Sequence, residues 1–324
     1  MRALQLEAYD GPEALRVTEV PEPAAGDDVV IDVRAIGINF PDYLITTGQY
    51  QHKPPLPFVP GCEVSGVVRS APAGSGWEAG DRVAAFVWTG GYAEQVAAPA
   101  RSVYRLPDSM DFLTGAATIV NYHTVHFGLS RRGRLAAGEK LLVLGAAGGI
   151  GTAAVQVGKG LGARVIGGVA DPGQVDAATR AGADEVIVLA EGFSAAVREL
   201  TDGYGVDVVL DPLGDWVFGE AVRALAPEGR ILVVGFAAGE IPTLRVNRLL
   251  LKNIDAVGVA WGAFLDIDDQ LIAKASRDIG EMFERGVVAP IIAGNFRFDQ
   301  IPEALQHLSR GEIQGKGVID LSRG

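Results

Sequence analysis

Residues Leu141–Gly151 read LLVLGAAGGIG, an apolar strand that runs into a glycine-rich turn and then into the helical stretch TAAVQVGKGLG. Such a turn brings backbone N–H groups and a helix N-terminus against the phosphates of a dinucleotide. Gly145 suits the tight exit from the strand, Gly148 permits close approach of a pyrophosphate, and Gly151 permits strand–helix packing. Strand–helix packing alone could also explain the glycines. The context favours a dinucleotide site formed by Gly145, Ala146, Ala147, Gly148, Gly149, Ile150 and Gly151.

The length and composition of the chain limit what can surround this site. With 324 residues, of which 48% are hydrophobic, the chain can form two globular domains. No run of about 18 apolar residues is present, and the first residues do not resemble a signal peptide. The single cysteine excludes an internal disulfide, and the formal charge of −12 opposes binding to nucleic acid or anionic membranes. We therefore expect a cytoplasmic protein with no nucleic-acid or membrane partner.

The pattern of apolar residues changes along the chain. Up to residue 108, short apolar or alternating stretches are separated by turns rich in Pro and Gly, as in a small antiparallel barrel. Residues Asn39–Tyr50 interrupt this pattern, and we expect a short helix and loop there. A helical stretch from Asp111 precedes alternating strands and helices up to about residue 262, the pattern of a doubly wound parallel sheet. The predicted class is α/β, with a β-barrel domain (1–122 and 263–324, including a helix near 268–286) and a Rossmann domain (123–262).

Several stretches, taken in order, carry a family resemblance. They read GINFPDYLITTGQY, VPGCEVSGVV, GGYAEQVAAP, RAGADEVI, GVDVVLDPLG, LAPEGRILVVGFAAGEIP and GKGVIDL. The chain resembles the zinc-independent quinone oxidoreductase (zeta-crystallin-like) branch of the medium-chain dehydrogenase/reductase superfamily over essentially its full length. This resemblance implies a GroES-like catalytic domain, a Rossmann domain inserted before its C-terminal part, and a homodimer or a multiple of dimers.

Zinc-dependent relatives hold their catalytic metal through a Cys, the His of a Gly-His-Glu segment and a third ligand. The corresponding residues here are Asn39, Cys62 and Val120, and a single thiolate cannot build a site with three protein ligands. We therefore expect no metal, and Cys62 is most simply a small buried side chain. His123 and His126 lie three residues apart on one helix face, but no carboxylate or thiol is close to them in sequence.

The chemistry must then come from the cofactor, as direct hydride transfer from a reduced nicotinamide. Such a site needs hydrogen-bond donors at the carbonyl oxygen that gains negative charge. The resemblance makes Asn39 the first candidate for this donor, and Tyr50 matches a second tyrosine of the family. Tyr43 is a further candidate, although relatives carry their tyrosine one position later. Asp42 is most simply a local helix cap or a hydrogen-bond anchor for the loop.

Residues Val169–Gln174 bear on the choice of nicotinamide cofactor. An acidic residue about 20 residues after the glycine turn would bind the adenine ribose and repel a 2′-phosphate. Val169 ends the predicted strand and favours NADPH, but Asp171 follows, and Gln174 replaces the phosphate-binding lysine common in NADPH-using relatives. Arg180 could compensate. We expect NADPH, with NADH as the alternative. The resemblance adds cofactor contacts at Thr124, Pro212, Leu213, Gly235, Phe236, Ala237, Asn247 and Lys316, although Asn247 could instead cap a helix and Lys316 could be a surface charge.

Three functions are compatible with these features. The leading one is an NADPH-dependent reductase of quinones or small α,β-unsaturated carbonyls. The second is an enoyl-thioester reductase, for which Arg131, Arg132 and Arg134 form the candidate basic patch. The third is a non-enzymatic structural protein that retains a nucleotide pocket. The apolar strand Ile254–Gly262 is predicted at the edge of the sheet, which favours a homodimer formed through that edge.

Overall fold

The structure is a computed structural model that describes residues 1–24 and 26–323. Its strands are β1 (Arg2–Leu6), β2 (Leu15–Glu19), β3 (Val29–Gly37), β4 (Glu63–Ser70), β5 (Arg82–Phe86), β6 (Gln95–Ala98), β7 (Val103–Arg105), β8 (Lys140–Leu144), β9 (Arg164–Val169), β10 (Glu185–Val188), β11 (Val206–Asp211), β12 (Leu225–Val233), β13 (Asp255–Gly258), β14 (Ile292–Phe296) and β15 (Lys316–Asp320). Its α-helices are α1 (Phe40–Thr46), α2 (Phe112–Gly115), α3 (Thr124–His126), α4 (Gly149–Gly160), α5 (Val175–Arg180), α6 (Phe193–Leu200), α7 (Asp215–Ala224), α8 (Asn247–Lys252), α9 (Trp261–Phe264), α10 (Leu271–Glu284) and α11 (Ile301–Ser309). The chain folds into two compact units.

Unit 1 comprises residues 1–120, 269–276 and the chain from Ile292 onward. Its main sheet has the strand order β14-β15-β3-β4-β5-β7, with β6 also paired to β3, and β1 and β2 form a separate hairpin. The pairs are antiparallel except β14 with β15. Apolar side chains from these strands and from α11 form one core, as the alternating sequence pattern requires. The expected short helix after Asn39 is present as α1.

Unit 2 comprises residues 121–268 and 277–291. Its six strands are all parallel and follow the order β10-β9-β8-β11-β12-β13. Helices follow the strands in sequence, and the order reverses between β8 and β11, which is where dinucleotides bind in doubly wound sheets. The predicted α/β class, with a Rossmann domain and a barrel-like domain, is confirmed.

The segment 277–291 departs from the predicted domain assignment, because it belongs to unit 2 rather than to the first domain. Long-range side-chain contacts explain this. His126 Nε2 lies 2.9 Å from the carboxylate of Asp278. The Gln156 side-chain amide donates to the carbonyl oxygen of Ala289 at 2.8 Å and accepts from the Ala289 N–H at 2.9 Å. None of these contacts follows from local sequence patterns.

The predicted helix after Asp111 is interrupted. Asp111 accepts a hydrogen bond from the Thr114 N–H at 2.7 Å and caps the short helix α2. Wider π-type turns flank α3 and end at Gly133, whose N–H bonds to the carbonyl oxygen of Gly128 at 2.7 Å. In the part of the chain that the structure describes, no helix is long and apolar enough to cross a membrane.

Candidate active site and cofactor-binding elements

Three buried polar side chains meet at one end of the main sheet of unit 1. Asn39 follows β3, Glu63 begins β4 and Lys316 begins β15, and these three strands are neighbours in the sheet. The register places Gly37 opposite both Glu63 and Val318. A Cβ atom on Gly37 would lie 2.6 Å from the Glu63 carboxylate and 2.1 Å from a backbone oxygen, so only glycine leaves room for this carboxylate.

The ammonium group of Lys316 joins the other two side chains. Its Nζ lies 2.5 Å from Glu63 Oε2 and 2.5 Å from Asn39 Oδ1. The second carboxylate oxygen, Oε1, accepts the backbone N–H groups of Ile119 at 2.7 Å and Val120 at 3.0 Å. The side chains of Lys316 and Glu63 are only 4% and 0% exposed. Close hydrogen bonds on all sides are what a buried ion pair requires. We call Asn39, Glu63 and Lys316 the buried triad.

Asn39 has no amide hydrogen left over. Its Oδ1 faces an ammonium group, which can only donate, so Nδ2 must face the acceptors. Nδ2 lies 3.1 Å from Glu63 Oε2, 3.2 Å from the carbonyl oxygen of Gly37 and 3.5 Å from the sulfur of Cys62. The predicted role of Asn39 as a donor to a substrate oxygen would require one of these bonds to open.

Asp42 lies beside the triad and is fully buried. Its Oδ2 accepts the backbone N–H of Asn39 at 2.9 Å, which confirms its predicted role as an anchor at the start of α1. Burial raises the pKa of Asp42 to about 6, against the opposing effects of the neighbouring Tyr92 and Cys62. Burial and the charge of Asp42 together raise the pKa of the Cys62 thiol well above its ordinary value. Cys62 is also buried, so the prediction of a small buried side chain is confirmed.

The two candidate tyrosines lie in different surroundings. Burial raises the pKa of the half-buried Tyr50, and electrostatic interactions with Cys62 and Asp42 act in the same direction. Tyr43 packs against Phe40, with ring centroids 6.0 Å apart, and lines a cavity of about 290 Å³ together with residues of α11. Tyr50 therefore lies near the Asp42 and Cys62 side chains, whereas Tyr43 faces this separate cavity.

The glycine turn of unit 2 has the geometry that its spacing predicts. Gly145 has a φ of +64°, in the region that favours glycine. A Cβ atom on Gly151 would lie 2.0 Å from the carbonyl oxygen of Gly145, so this position cannot hold a larger residue without movement. A Cβ on Gly148 would meet only that same oxygen, at 3.5 Å. Helix α4 begins at Gly149, and the first N–H groups of a helix have no partner within it.

The turn after β9 is closed by the residues expected to select the cofactor. Val169 is buried within the sheet. Asp171 accepts the Gly173 N–H at 2.7 Å, and the Gln174 side chain accepts the Ala170 N–H at 3.0 Å. Arg180 pairs with Asp176 on the same helix, with Nε 2.9 Å from the carboxylate.

Two further predicted cofactor segments lie together at the carboxyl ends of β11 and β12. The Ala237 N–H donates to the carbonyl oxygen of Pro212 at 3.0 Å, and Phe236 is 39% exposed. Asp211, which sequence reasoning missed, holds this turn through the N–H groups of Leu213 and Gly214 at 2.8 and 2.9 Å. Burial raises the pKa of Asp211. The sequence signal for Asp211 is an acid at the last position of the apolar strand β11.

Other predicted residues lie away from these segments. Thr124 begins α3, and Asn247 begins the exposed helix α8, whose N-cap is Val246, so Asn247 is not the cap. His123 stacks on Trp261 with ring centroids 5.7 Å apart. The basic run is engaged within unit 2: Arg131 pairs with Asp268, Arg132 donates to the Gly258 carbonyl oxygen, and Arg134 pairs with Asp255.

Glu63 is a site residue of unit 1 that sequence reasoning missed. Glu63 is the only acid in the strand CEVSGVV, and a charge in such an apolar strand signals a buried partner. Its partner Lys316 lies 253 residues away in sequence, so the pairing itself could not be predicted.

Comparison with known proteins places this geometry in a family. Residues 25–108 match the alcohol dehydrogenase GroES-like domain, and residues 149–277 match the family described as zinc-binding dehydrogenase. The chain is 37% identical to a quinone oxidoreductase-like protein 2 homolog from Nematostella vectensis, over 90% of this chain and 81% of that protein. The chain belongs to the medium-chain dehydrogenase/reductase superfamily.

Solved structures of superfamily members superpose over nearly the whole chain. A probable oxidoreductase from Mycobacterium abscessus is 46% identical, with a TM-score of 0.91 over 99% of this chain and 98% of that one. The quinone oxidoreductase from Thermus thermophilus, whose structure was also determined with NADPH, is 33% identical, with a TM-score of 0.85 over 99% and 100% of the two chains. The present chain is thus a quinone oxidoreductase-like oxidoreductase of the superfamily. Among residues 1–24 and 26–323, no cluster of three or more His, Cys, Asp or Glu is suited to a metal ion.

Proposed function

We propose that this protein uses NADPH to reduce a quinone or a small α,β-unsaturated carbonyl, without a metal ion. When bound, NADPH supplies the hydride. The observation that carries the proposal is the β8–turn–α4 element at the point where the strand order of unit 2 reverses, together with the buried triad of unit 1. The Thermus thermophilus quinone oxidoreductase, which has been solved with NADPH, supports the choice of cofactor.

The residues of unit 2 fit a dinucleotide. Gly148 leaves open space at its Cα, because an added Cβ would meet only the Gly145 oxygen at ordinary contact distance. We propose that Gly148, Gly149, Ile150 and Gly151 hold the pyrophosphate through the start of α4. The turn of Pro212 and Leu213 and the adjoining segment Gly235–Ala237 would hold the nicotinamide half, with Phe236 beside the ring.

The residues of unit 1 do not fit a catalytic zinc ion. At the positions of the zinc ligands, the Asn39 amide is fully hydrogen-bonded, and the buried Cys62 is the one side chain with a sulfur ligand. The third position is Val120, which has no ligating side chain, and Cys62 alone cannot build a zinc site with three protein ligands. An ammonium group, that of Lys316, already bonds to Asn39 and Glu63. These observations support a reaction that needs no metal.

Tyr50 is the residue of unit 1 that we propose as donor to the substrate oxygen. Its raised pKa keeps the hydroxyl protonated at neutral pH, so it can donate a hydrogen bond to an oxygen that gains negative charge. Asn39 would hold the adjoining loop rather than donate directly. Tyr43 remains a less direct candidate, since it lines a separate cavity.

The preference for NADPH over NADH is also a proposal. Arg180, the cation offered by the sequence near the expected 2′-phosphate, pairs with the exposed Asp176. Exposed ion pairs of this kind contribute little, about 0.3–0.5 kcal/mol, so an arriving phosphate could displace Asp176. This supports NADPH, and NADH stays as the alternative cofactor. Initial rates with each cofactor at equal concentration decide between the two.

A panel of acceptors tests the reaction. A para-quinone, an ortho-quinone, an enone and a crotonyl thioester are each supplied with NADPH, and NADPH oxidation is followed by absorbance. We expect turnover with at least one quinone or with the enone. Turnover with the thioester alone would favour the enoyl-thioester reductase. No structural observation favours that alternative at present, because Arg131, Arg132 and Arg134 are all engaged within unit 2.

We also propose a homodimer formed through the edge of the unit 2 sheet. Among the described residues, strand β13 pairs with β12 alone, and the residues of β13 are mostly exposed. The neighbouring helix α8 exposes Leu250 and Leu251 to 75% and 72%. An unpaired edge next to exposed leucines is the arrangement that a second copy would cover. The predicted cytoplasmic location stays a prediction.

A further inference from the structure

We propose that Lys316 is a positioning residue that acts through Asn39 and Glu63, rather than a residue that contacts the cofactor's phosphates or ribose. This inference rests on the proposed reductase function and changes the role that the family resemblance implies for Lys316. It follows from where the ammonium group points. Nζ bonds to Glu63 Oε2 and Asn39 Oδ1, and the side chain is 4% exposed.

The ammonium group decides how the Asn39 amide is oriented. With a pure donor on its Oδ1 side, the amide must turn Nδ2 toward Glu63 and Gly37, as observed. Without that donor, the amide could rotate by a half turn and present Nδ2 to the space that Nζ leaves. Asn39 also precedes α1, which leads to Tyr50. A change at Lys316 is therefore transmitted to the loop that carries the proposed donor.

Glu63 completes the network, and a substitution of Glu63 distinguishes a positioning role of Lys316 from a role in cofactor binding. Its Oε1 is held by two backbone N–H groups, so the carboxylate cannot follow a moving lysine. If Lys316 acts through this network, removing the Glu63 charge must disturb catalysis as removing Lys316 does. If Lys316 instead bound the cofactor, removing the Glu63 charge would free the ammonium group and would not weaken cofactor binding.

A double-mutant cycle tests this with Lys316→Met, Glu63→Gln and the double variant, which removes both charges together. The double variant guards against misfolding, since a lone buried charge is far more costly than none. The dissociation constant for NADPH is measured by fluorescence, and kcat is measured with the acceptor that the wild type reduces best. Lys316→Arg tests whether a different cation at the same position restores kcat. Arg105→Met removes an exposed ion pair of unit 1 and serves as the control.

We expect kcat to fall by about 10- to 100-fold in both single variants, the range that a misplacement of about 1 Å produces. The NADPH dissociation constant should change by less than about threefold, and the double variant should lose no more activity than the worse single variant. Lys316→Arg should recover part of kcat, and Arg105→Met should match the wild type.

Two results would overturn the proposal. One is a rise of about tenfold or more in the NADPH dissociation constant for Lys316→Met but not for Glu63→Gln, which would assign Lys316 to the cofactor. The other is an unchanged kcat in Lys316→Met. A wrong reductase function would give a different result, because the wild type itself would then oxidise no NADPH with any acceptor. The binding measurements would still decide whether Lys316 contacts the cofactor.

Discussion

Asp42 illustrates how one buried side chain can hold the structure and also titrate. Its Oδ2 anchors the N–H of Asn39, whereas Oδ1 is buried with no hydrogen-bond partner in the described residues. Because its pKa is raised to about 6, the folded protein binds this proton more tightly than the unfolded chain does. Ionisation of Asp42 therefore lowers stability as the pH rises from its ordinary pKa of 3.8 toward about 6.

The variant Asp42→Asn should remove this pH dependence, because asparagine keeps an acceptor for the Asn39 N–H and cannot ionise. Relative to the wild type, its free energy of unfolding should rise by about 1.4 kcal/mol between pH 5 and pH 8. Equilibrium urea unfolding at both pH values measures this difference.

Asp81→Asn is the control for that experiment. Arg105 lowers the pKa of Asp81, so the stability that Asp81 contributes is complete above its ordinary pKa of 3.8 and is lost only as the pH falls further. The difference between Asp81→Asn and the wild type should thus be the same at pH 5 and pH 8. If the free energy of unfolding changes equally between pH 5 and pH 8 in the wild type and in Asp42→Asn, the pH dependence does not come from Asp42.

Strand β8, the glycine turn and α4 form one continuous element, in which Gly148 and Gly151 have different roles. Gly151 lies in the first turn of α4, and a Cβ there would lie 2.0 Å from the Gly145 carbonyl oxygen. Gly148 has ordinary room for a Cβ within the protein. Its proposed task is to let the pyrophosphate approach, which concerns the ligand and not the fold.

The pair Gly151→Ala and Gly148→Ala should separate these tasks. Gly151→Ala should destabilise the protein by about 1–3 kcal/mol, because the backbone must move to admit the methyl group. Gly148→Ala should unfold like the wild type but raise the NADPH dissociation constant by about tenfold or more. Thermal unfolding and fluorescence titration measure both. Wild-type stability of Gly151→Ala, or wild-type affinity of Gly148→Ala, would refute the corresponding assignment.

The elements that could be predicted from sequence are those with a local cause. Short apolar runs predicted the strands of unit 2, and the break in the strand pattern at Asn39–Tyr50 predicted the short helix α1. The buried triad could not be predicted, because Asn39 and Lys316 are 277 residues apart in sequence and meet only through the pairing of β15 with β3. The direction of Tyr43 and the placement of 277–291 likewise depend on tertiary packing.

The two edges of the unit 2 sheet differ in their surroundings. Strand β13 lies beside the exposed leucines of α8, whereas β10 forms the opposite edge. A dimer through β13 would join two such sheets by a two-fold axis. Lysine on an edge strand opposes this kind of pairing.

The variant Ala256→Lys on β13 should therefore dissociate the proposed dimer, and Val188→Lys on β10 should leave it intact. Sedimentation velocity at micromolar concentration distinguishes a dimer from the 33.9 kDa monomer. A monomeric wild type, or equal effects of the two lysines, would contradict the proposed interface.

We infer that a hydride passes from NADPH to an electrophilic carbon of the acceptor without a metal ion. To test this transfer, the protein is dialysed against a chelator and supplied with an enone and with NADPH deuterated at the transferring position of C4. The product is then analysed by mass spectrometry. We predict that turnover survives dialysis and that the saturated carbonyl product carries one deuterium at its β-carbon. Loss of turnover that zinc restores, or a product without deuterium, would contradict the account.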